Sequence, residues 1–564
     1  MSIISEIQRI KTAKENIIRA LSRKGIQIPE GSTIDDFAEV IDPITRGEEL
    51  SWKDNPDGYL SFKFVKDGKF YWKTNSASWT KTIQYSLDGG SIWTSVTATT
   101  NGYVCNVEEG DEIWVKGTET AYANSSNYCY FYNIGFAYVS GNVNSLINFG
   151  NLSDYSFKYL FYNNYNIDIE VSHPLTLPAT TLASNCYASM FSGCTHLTTA
   201  PELPATTLAD YCYYEMFRDC TSLTTAPELP GTILASNCYQ YMFQSCTSLT
   251  TAPELPATTL ASNCYQSMFS NCTSLTTAPE LPAITLADYC YYSMFSVCTS
   301  LTTAPELPAT TLASNCYYSM FSGCTSLTTA PELPATNLVQ YCYYSMFYGC
   351  TGLTSAPELP ATTLVVWCYS YMFNGCTNLT TTPELPATTL ARSCYEGMFY
   401  NCTNLTTAPE LPATTLASRC YQGMFSNCTS LTTAPELPAI TLADYCYYNM
   451  FYGCTGLTSA PELPATTLVS NCYYSMFNGC TSLTTAPELP ATTLEKSCYS
   501  QMFYGCTLLN YIKCLATNIS ASSCTYNWVY NVASTGTFVK NPSMSSWTGG
   551  NNGIPSGWTI QDVA

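Results

Sequence analysis

Residues 307–332 read LPATTLASNCYYSMFSGCTSLTTAPE, and close copies of this stretch fill most of the chain. The segment Pro-Glu-Leu-Pro occurs twelve times between Pro201 and Pro490, always 26 residues apart. Thirteen such units run from Leu177 to Cys514. A fixed period of roughly 20 to 50 residues is typical of solenoids, in which each unit buries its apolar side chains against its neighbours. We therefore predict a tandem-repeat solenoid over residues 177–514.

The pattern inside one unit suggests two elements. Leu182, Cys186, Met190 and Cys194 recur at every fourth residue, which predicts the buried face of a short α-helix. The Thr-rich segment 197–200 follows and is closed by Pro201, which suits the end of a short strand. The predicted fold class is an α/β repeat solenoid.

The flanking segments predict further domains. Residues 146–176 and 515–564 contain degenerate copies of the unit, so we expect an N-terminal cap and a C-terminal cap with a tail. Alternating apolar residues and Asp-Gly turns predict a small β-sandwich spacer over residues 49–145. An apolar stripe from Ile3 to Leu21 predicts an N-terminal helical attachment segment, residues 1–48, and leaves homo-oligomerisation open.

Composition restricts the partners. The chain of 564 residues carries 21 basic and 41 acidic side chains, and the net charge of -20 repels nucleic acid and anionic lipid. The sequence contains no apolar run long enough to cross a bilayer and no signal-peptide pattern. We expect no nucleic-acid partner, no membrane insertion and no encoded secretion signal.

The residues that could carry chemistry argue against an enzyme. Each unit has two Cys eight residues apart, which on a helix lie about 12 Å from each other, too far for a disulfide. No Cys-x-x-Cys pair suggests zinc, and the chain has only two histidines, His173 and His196. The Glu of each Pro-Glu-Leu-Pro segment has the same surroundings in every unit, unlike the two distinct carboxylates of a glycosidase. We expect buried reduced thiols, a solvated Glu row rather than a cation-bridged one, no catalytic residues, no metal and no cofactor.

Differences between the units identify a candidate binding face. The variable positions beside the apolar stripe hold mainly Tyr, Ser, Asn, Gly and Gln, the composition of recognition surfaces, although drift at exposed sites remains the alternative. The candidate ligand-binding residues are Tyr214, Tyr292, Tyr318, Tyr344, Tyr348, Tyr448 and Tyr474.

The unit resembles BspA-type leucine-rich repeats, whose F-x-x-C-x-x-L core is matched at Phe321, Cys324 and Leu327. This resemblance covers about two thirds of the chain. It implies a curved solenoid associated with adhesion to host molecules and supplies no catalytic residues.

Other segments resemble tail and fibre proteins of phages and prophages of gut bacteria. They are SEIQRIKTAKENIIRAL near the N-terminus, YSLDGGSIWTSV with EEGDEIWVKG in the β-region, and GIPSGWTIQD at Gly553 to Asp562. The resemblance implies a receptor-binding protein of a phage tail, assembled in the bacterial cytoplasm. Its partners would be a host-surface glycan or protein and, through the N-terminal segment, other virion tail proteins. The alternatives are a bacterial cell-surface adhesin and a purely architectural virion protein.

Overall fold

The computed structural model describes residues 52–545 and 547–563. The predicted N-terminal helical segment, residues 1–48, lies outside the described residues. In the described part the strands are β1 Leu60–Phe64, β2 Gly68–Thr74, β3 Thr82–Ser86, β4 Thr94–Thr97, β5 Tyr103–Val107, β6 Glu112–Gly117, β7 Cys129–Ile134, β8 Ala137–Asn142, β9 Ile167–Asp168, β10 Leu175–Thr176, β11 Tyr511–Cys514, β12 Thr537–Lys540 and β13 Thr559–Asp562. One short 3-10 helix spans Val143–Leu146. No helix in the described residues has the length and apolar character needed to span a bilayer.

Strands β1 to β8 form two sheets that pack face to face. One sheet has the order β10-β8-β1-β6-β3-β4, with β9 also paired to β8, and the other has the order β5-β2-β7. Pairing among β1 to β8 is antiparallel, and Phe62 of β1 lies opposite Ile113 of β6. Phe62 also contacts Phe70 of the second sheet edge to face, with ring centroids 4.9 Å apart. The alternating apolar residues of this region therefore meet in the space between two sheets.

The repeat units do not contain the predicted α-helix. In the unit 307–332, alternate amides from Cys316 to Cys324 donate to the carbonyl three residues earlier, as Met320 N does to Tyr317 O at 3.2 Å. The amides between them donate to the next unit, as Phe321 N does to Met346 O at 2.9 Å. We call this stretch, Ala313–Cys324 and its equivalents, the turn ribbon. It is a chain of tight turns that is hydrogen-bonded from unit to unit.

Backbone geometry explains why a helix cannot form here. Every fourth residue of the turn ribbon is left-handed, with φ of 57° at Asn315, 50° at Ser319 and 75° at Gly323. An α-helix requires negative φ throughout. A strict four-residue repeat also overshoots each helical turn by about 40°, so its apolar side chains would not stay on one face. The prediction of an α/β solenoid was therefore wrong, and the structure is a repeat β-solenoid of about sixteen turns, with almost no helix among the described residues.

The predicted strand of each unit is reduced to single parallel bridges. Thr225 pairs with Thr251, and Thr251 pairs with Thr277, each at the same position of successive units. A second column of bridges joins Thr181 to Thr207. The prolines of the Pro-Glu-Leu-Pro segment have no N–H to donate, so a continuous ladder cannot extend through it.

The core of the solenoid consists of side-chain columns that run from unit to unit. Buried Tyr291 and Tyr317 stack with centroids 5.8 Å apart, and buried Phe295 and Phe321 stack at 5.7 Å. The columns begin in the N-terminal cap, where Phe161 packs on Phe131 of β7 at 5.9 Å. The solenoid and the β-sheets therefore share one hydrophobic core.

The last turns end in a parallel sheet and a tryptophan plug. Strands β11, β12 and β13 pair in parallel, one from each of the final turns. Buried Trp528 ends the Tyr column by stacking on Tyr499, with centroids 6.2 Å apart, and Trp547 stacks on its other side at 5.7 Å. The indole N–H of Trp528 donates to Gly553 O at 2.9 Å. These residues cover the apolar end that an open solenoid would expose.

Candidate binding surface

The left-handed positions of the turn ribbon account for part of the residue choice at the variable sites. Counting Leu307 as position 1 of its unit, these are positions 9, 13 and 17, and Asn, Ser and Gly occupy most of them across the thirteen units. Gly and Asn tolerate positive φ better than other residues. Their frequency here has a backbone cause, so it does not by itself indicate a recognition surface.

Aromatic residues at these same positions are unexpected for the backbone. Tyr289, Tyr341 and Trp367 occupy position 9 with φ of 58°, 58° and 57°, and Tyr371 occupies position 13 with φ of 56°. A left-handed conformation costs a residue with a Cβ atom about 1 to 2 kcal/mol. Strain of this kind is typical of sites that serve function.

These residues join three of the predicted tyrosines in one continuous surface. We call it the aromatic strip, and it consists of Tyr289, Tyr292, Tyr318, Tyr341, Tyr344, Trp367 and Tyr371. Tyr318 stacks between Tyr292 and Tyr344 with centroids 4.7 and 4.6 Å apart. Tyr341 stacks on Trp367 at 4.8 Å. Contacts at 5.7 to 5.9 Å link Tyr289 to Tyr292 with tilted rings, and Tyr341 to Tyr344 and Tyr344 to Tyr371 edge to face.

The other predicted tyrosines lie apart from the strip. Tyr214 contacts Tyr211 and Tyr241, which are near the N-terminal end of the solenoid. Tyr448 stacks on Tyr474 at 5.0 Å, nearer the C-terminal end. Tyr348 is 48% exposed and lies outside these ring contacts. The seven predicted residues thus belong to separate groups.

Sequence reasoning missed four members of the strip: Tyr289, Tyr341, Trp367 and Tyr371. Position 9 is Asn and position 13 is Ser in the consensus unit, whereas the candidate residues came from positions 12 and 16. The signal that could have found them is a bulky aromatic residue at a position where other units hold Asn, Ser or Gly.

The phenol groups of Tyr292, Tyr318 and Tyr344 stay protonated around neutral pH. Burial raises the pKa of Tyr318 to about 12, and the neighbouring phenol of Tyr344 adds to the effect. Burial likewise raises the pKa of Tyr292 and Tyr344. Because the stacked rings cover one another's faces, this part of the strip presents ring edges and neutral hydroxyl groups that can donate hydrogen bonds.

Two arginines lie in the two units that follow the strip, and Arg392 contacts one of its rings. Arg392 lies over the ring of Trp367, 5.5 Å from its centroid, and Arg419 lies over Tyr445 at 5.1 Å. Among the described residues neither has a carboxylate oxygen within 4.0 Å. By contrast, Arg218 pairs with Glu215 at 2.7 Å. Aromatic rings thus orient Arg392 and Arg419, and no carboxylate of the described residues neutralises their charge.

A buried carboxylate lies next to the same region. Glu396 is 9% exposed and accepts hydrogen bonds from the Tyr371 hydroxyl at 2.8 Å and from Gln422 Nε2 at 3.1 Å. Burial raises the pKa of Tyr371, and the Glu396 charge raises it further. These two hydrogen bonds fix the Tyr371 ring at the end of the strip.

The groups that other chemistry would need are dispersed or buried. Every described cysteine is unpaired, and all except Cys105 are buried. His173 and His196 are exposed. The Glu residues of the Pro-Glu-Leu-Pro segments are exposed along shallow grooves that recur from unit to unit, and Glu488 pairs with Lys513 at 2.9 Å. In the described part of the chain no three His, Cys, Asp or Glu side chains come together as metal ligands would.

Comparison with known proteins identifies the repeat. The BspA type leucine rich repeat region matches in six copies, at residues 150–302, 289–432, 357–484 and 447–534. These ranges together span more than half of the chain, and this family is generally a non-enzymatic repeat and adhesion scaffold. No curated protein and no solved structure matches the sequence. The F-x-x-C-x-x-L core recurs without interruption, and the family match leads to the same conclusion. The chain belongs to the BspA-type leucine-rich repeat family.

Proposed function

We propose that this protein is a non-enzymatic receptor-binding protein that recognises a glycan or protein on a host cell surface through the aromatic strip. The observation that carries the proposal is the continuity of the strip over four consecutive units, in which Tyr341, Trp367 and Tyr371 take left-handed positions where Asn or Gly would be less strained. Residues that lower stability without serving the core are retained where they have another use.

The composition of the strip supports recognition rather than packing. Tyr, Trp and Arg are the residues that contribute most often to binding energy at interfaces. Tyr also supplies rigid contact area with little loss of conformational entropy. The solenoid fixes these side chains by backbone bonds between units, such as Ser319 N to Tyr344 O at 2.8 Å, so the surface is ordered before it meets a partner.

We further propose that the protein belongs to a phage tail. The support is the resemblance of the N-terminal segment and of the β-region to phage tail and fibre proteins. In this setting residues 1–48 attach the chain to other tail proteins, and the solenoid faces the host. Display on a bacterial cell surface would use the same strip with a different mode of attachment.

The test is binding of the full chain to intact gut bacteria, measured by flow cytometry with labelled protein. The variant Tyr341→Asn with Trp367→Asn replaces two strip residues by the residue that Asn315 provides at the same position. We expect saturable binding by the parent protein and loss of binding in the variant, because the fold does not need aromatic rings at this position.

The matched control is Tyr211→Asn, which changes the same position in a unit outside the strip. It should bind like the parent. Absence of binding by the folded parent protein across a broad panel of bacteria would overturn the proposal and favour an architectural role. Equal loss of binding in the control would show that the strip is not the specific site.

A further inference from the structure

The chemistry at the C-terminal end of the strip narrows the ligand class. We propose, resting on the function proposed above, that Arg392 and Arg419 recognise carboxylate groups on an otherwise uncharged glycan. The ligand is then an acidic polysaccharide with spaced carboxylates, of the kind that uronic acid units provide.

Positive charge is scarce in the solenoid. Residues 177–514 contain only five basic side chains: Arg218, Arg392, Arg419, Lys496 and Lys513. Arg218 and Lys513 pair with carboxylates at 2.7 and 2.9 Å. Arg392 and Arg419 lie in successive units and have no such partner among the described residues. The unneutralised guanidinium charge is therefore concentrated beside the aromatic strip.

The geometry of these two side chains suits a carboxylate. A guanidinium stacked on a ring keeps its N–H edge free, and that edge matches both oxygens of a carboxylate. Arg392 stacks on Trp367, while Arg419 stacks on Tyr445, so the two are held from opposite sides along the solenoid. Preorganised donors of this kind lose less entropy when a ligand binds.

The net charge of the chain favours a glycan with few charges over a densely charged polymer. The net charge of the chain is -20, so a nucleic acid or a heavily sulfated polymer would be repelled along most of its length. A ligand whose charges are few and spaced meets the two guanidinium groups without this repulsion. The neutral hydroxyl groups of Tyr292, Tyr318 and Tyr344 extend the same surface and suit a partner rich in hydroxyl groups.

The experiment measures binding of the full chain to four immobilised polymers: polygalacturonic acid with most of its carboxyl groups methyl-esterified, the fully methyl-esterified form, dextran and polyglutamate. We expect binding to the partly esterified polymer and a loss of about tenfold or more in affinity on complete esterification, which removes the remaining charges but keeps the sugar. The double variant Arg392→Gln with Arg419→Gln should lose affinity by a similar factor. The control Arg218→Gln removes an arginine already paired with Glu215 and should bind like the parent.

Three results with the polymers overturn the inference. They are equal binding to the fully esterified polymer, unchanged binding by the double variant, and binding of polyglutamate as tight as that of the partly esterified polymer, which would indicate an acidic peptide. Binding of the same double variant to intact bacteria keeps the two proposals separate. If the double variant binds cells as tightly as the parent does, receptor recognition stands and the carboxylate inference fails. If the parent binds neither cells nor polymers, both fail.

Discussion

Val297 is a β-branched side chain that the turn ribbon places on the surface in a left-handed conformation. It lies at position 17 with φ of 61°, where other units have Gly, Asn, Ser or Asp, and it is 38% exposed. A β-branched residue fits this conformation poorly, and the exposed side chain gains little from burial. Val297→Gly should therefore raise the free energy of unfolding by about 1 kcal/mol. The measurement is the urea midpoint of unfolding, together with hydrogen exchange of residues 289–300.

The opposite change in the next unit is the control. Gly323 has φ of 75°, and a Cβ atom there would lie 3.4 Å from Val297 Cγ2. Gly323→Val should lower the stability by about 1 to 2 kcal/mol because it adds the same strain. Shifts of the same sign in both variants would contradict the assignment of strain to this position.

At the residue scale, the sequence predicted part of the candidate site. Tyr292, Tyr318 and Tyr344 occur at one position of three consecutive units, so their stacking follows from the 26-residue period. Tyr341 and Trp367 were not predicted, because the Asn and Ser residues at the same position of other units were not taken as a sign of a left-handed backbone there. The arginine stacking was missed for a related reason, since Arg392 is one unit further along the chain than Trp367.

At the scale of the element, the two cysteines of each turn ribbon differ in environment. Cys324 donates its S–H to Phe295 O of the preceding unit at 3.1 Å, and its equivalents do the same along the solenoid. Cys316 is equally buried but shows no such bond. A thiol at position 18 is thus a hydrogen-bond donor as well as an apolar group.

Serine substitution distinguishes the two environments. Cys324→Ser keeps a donor that can reach Phe295 O, so we expect a loss of about 1 kcal/mol or less. Cys316→Ser buries a hydroxyl group without this acceptor and should cost about 1 to 3 kcal/mol. Chemical unfolding of the two single variants measures the difference. Equal losses would show that the S–H bond contributes nothing specific.

The turn ribbon also shows why the element type was predicted wrongly while the period was not. The repeat length equals the spacing of the Pro-Glu-Leu-Pro segments, and this length predicted a solenoid. Half of the ribbon's amides, such as Phe321 N, bond to the next unit and not within their own. The apolar spacing within a single unit predicts only locally hydrogen-bonded structure. The four-residue apolar repeat therefore led to the prediction of a helix.

At the scale of the whole molecule, the solenoid depends on its N-terminal neighbour. Phe157 and Phe161 of the first cap stack on Tyr187 and Phe191 with centroids 5.9 and 5.2 Å apart, and Phe161 contacts Phe131 of β7. A fragment that starts at Leu177 would expose the ends of both columns. We expect it to bind a hydrophobic dye and to melt at a lower temperature than a fragment that starts at Asn55. Identical melting of the two fragments would show that the repeats close their own end.

The buried thiols and phenols together make the molecule sensitive to alkali. Burial raises the pKa of Cys316 and of Cys324 from the ordinary 9.0 to about 12, and it raises the pKa of Tyr317 well above 10.0. The folded protein therefore keeps protons that the unfolded chain releases as the pH rises, and stability falls with pH because the unfolded state then binds fewer protons. This contribution is fully present below about pH 9 and is lost progressively toward pH 12.

Since similar groups recur in every unit, the losses add along the solenoid, and we expect steep cooperative unfolding within this window. Circular dichroism during an alkaline titration, followed together with the ultraviolet absorbance of thiolate and phenolate, measures it. The absorbance of the buried groups should appear only as the fold is lost. Ionisation of the cysteines and tyrosines near their ordinary pKa values, with the fold retained, would show that water reaches the columns and would contradict the closed core described above.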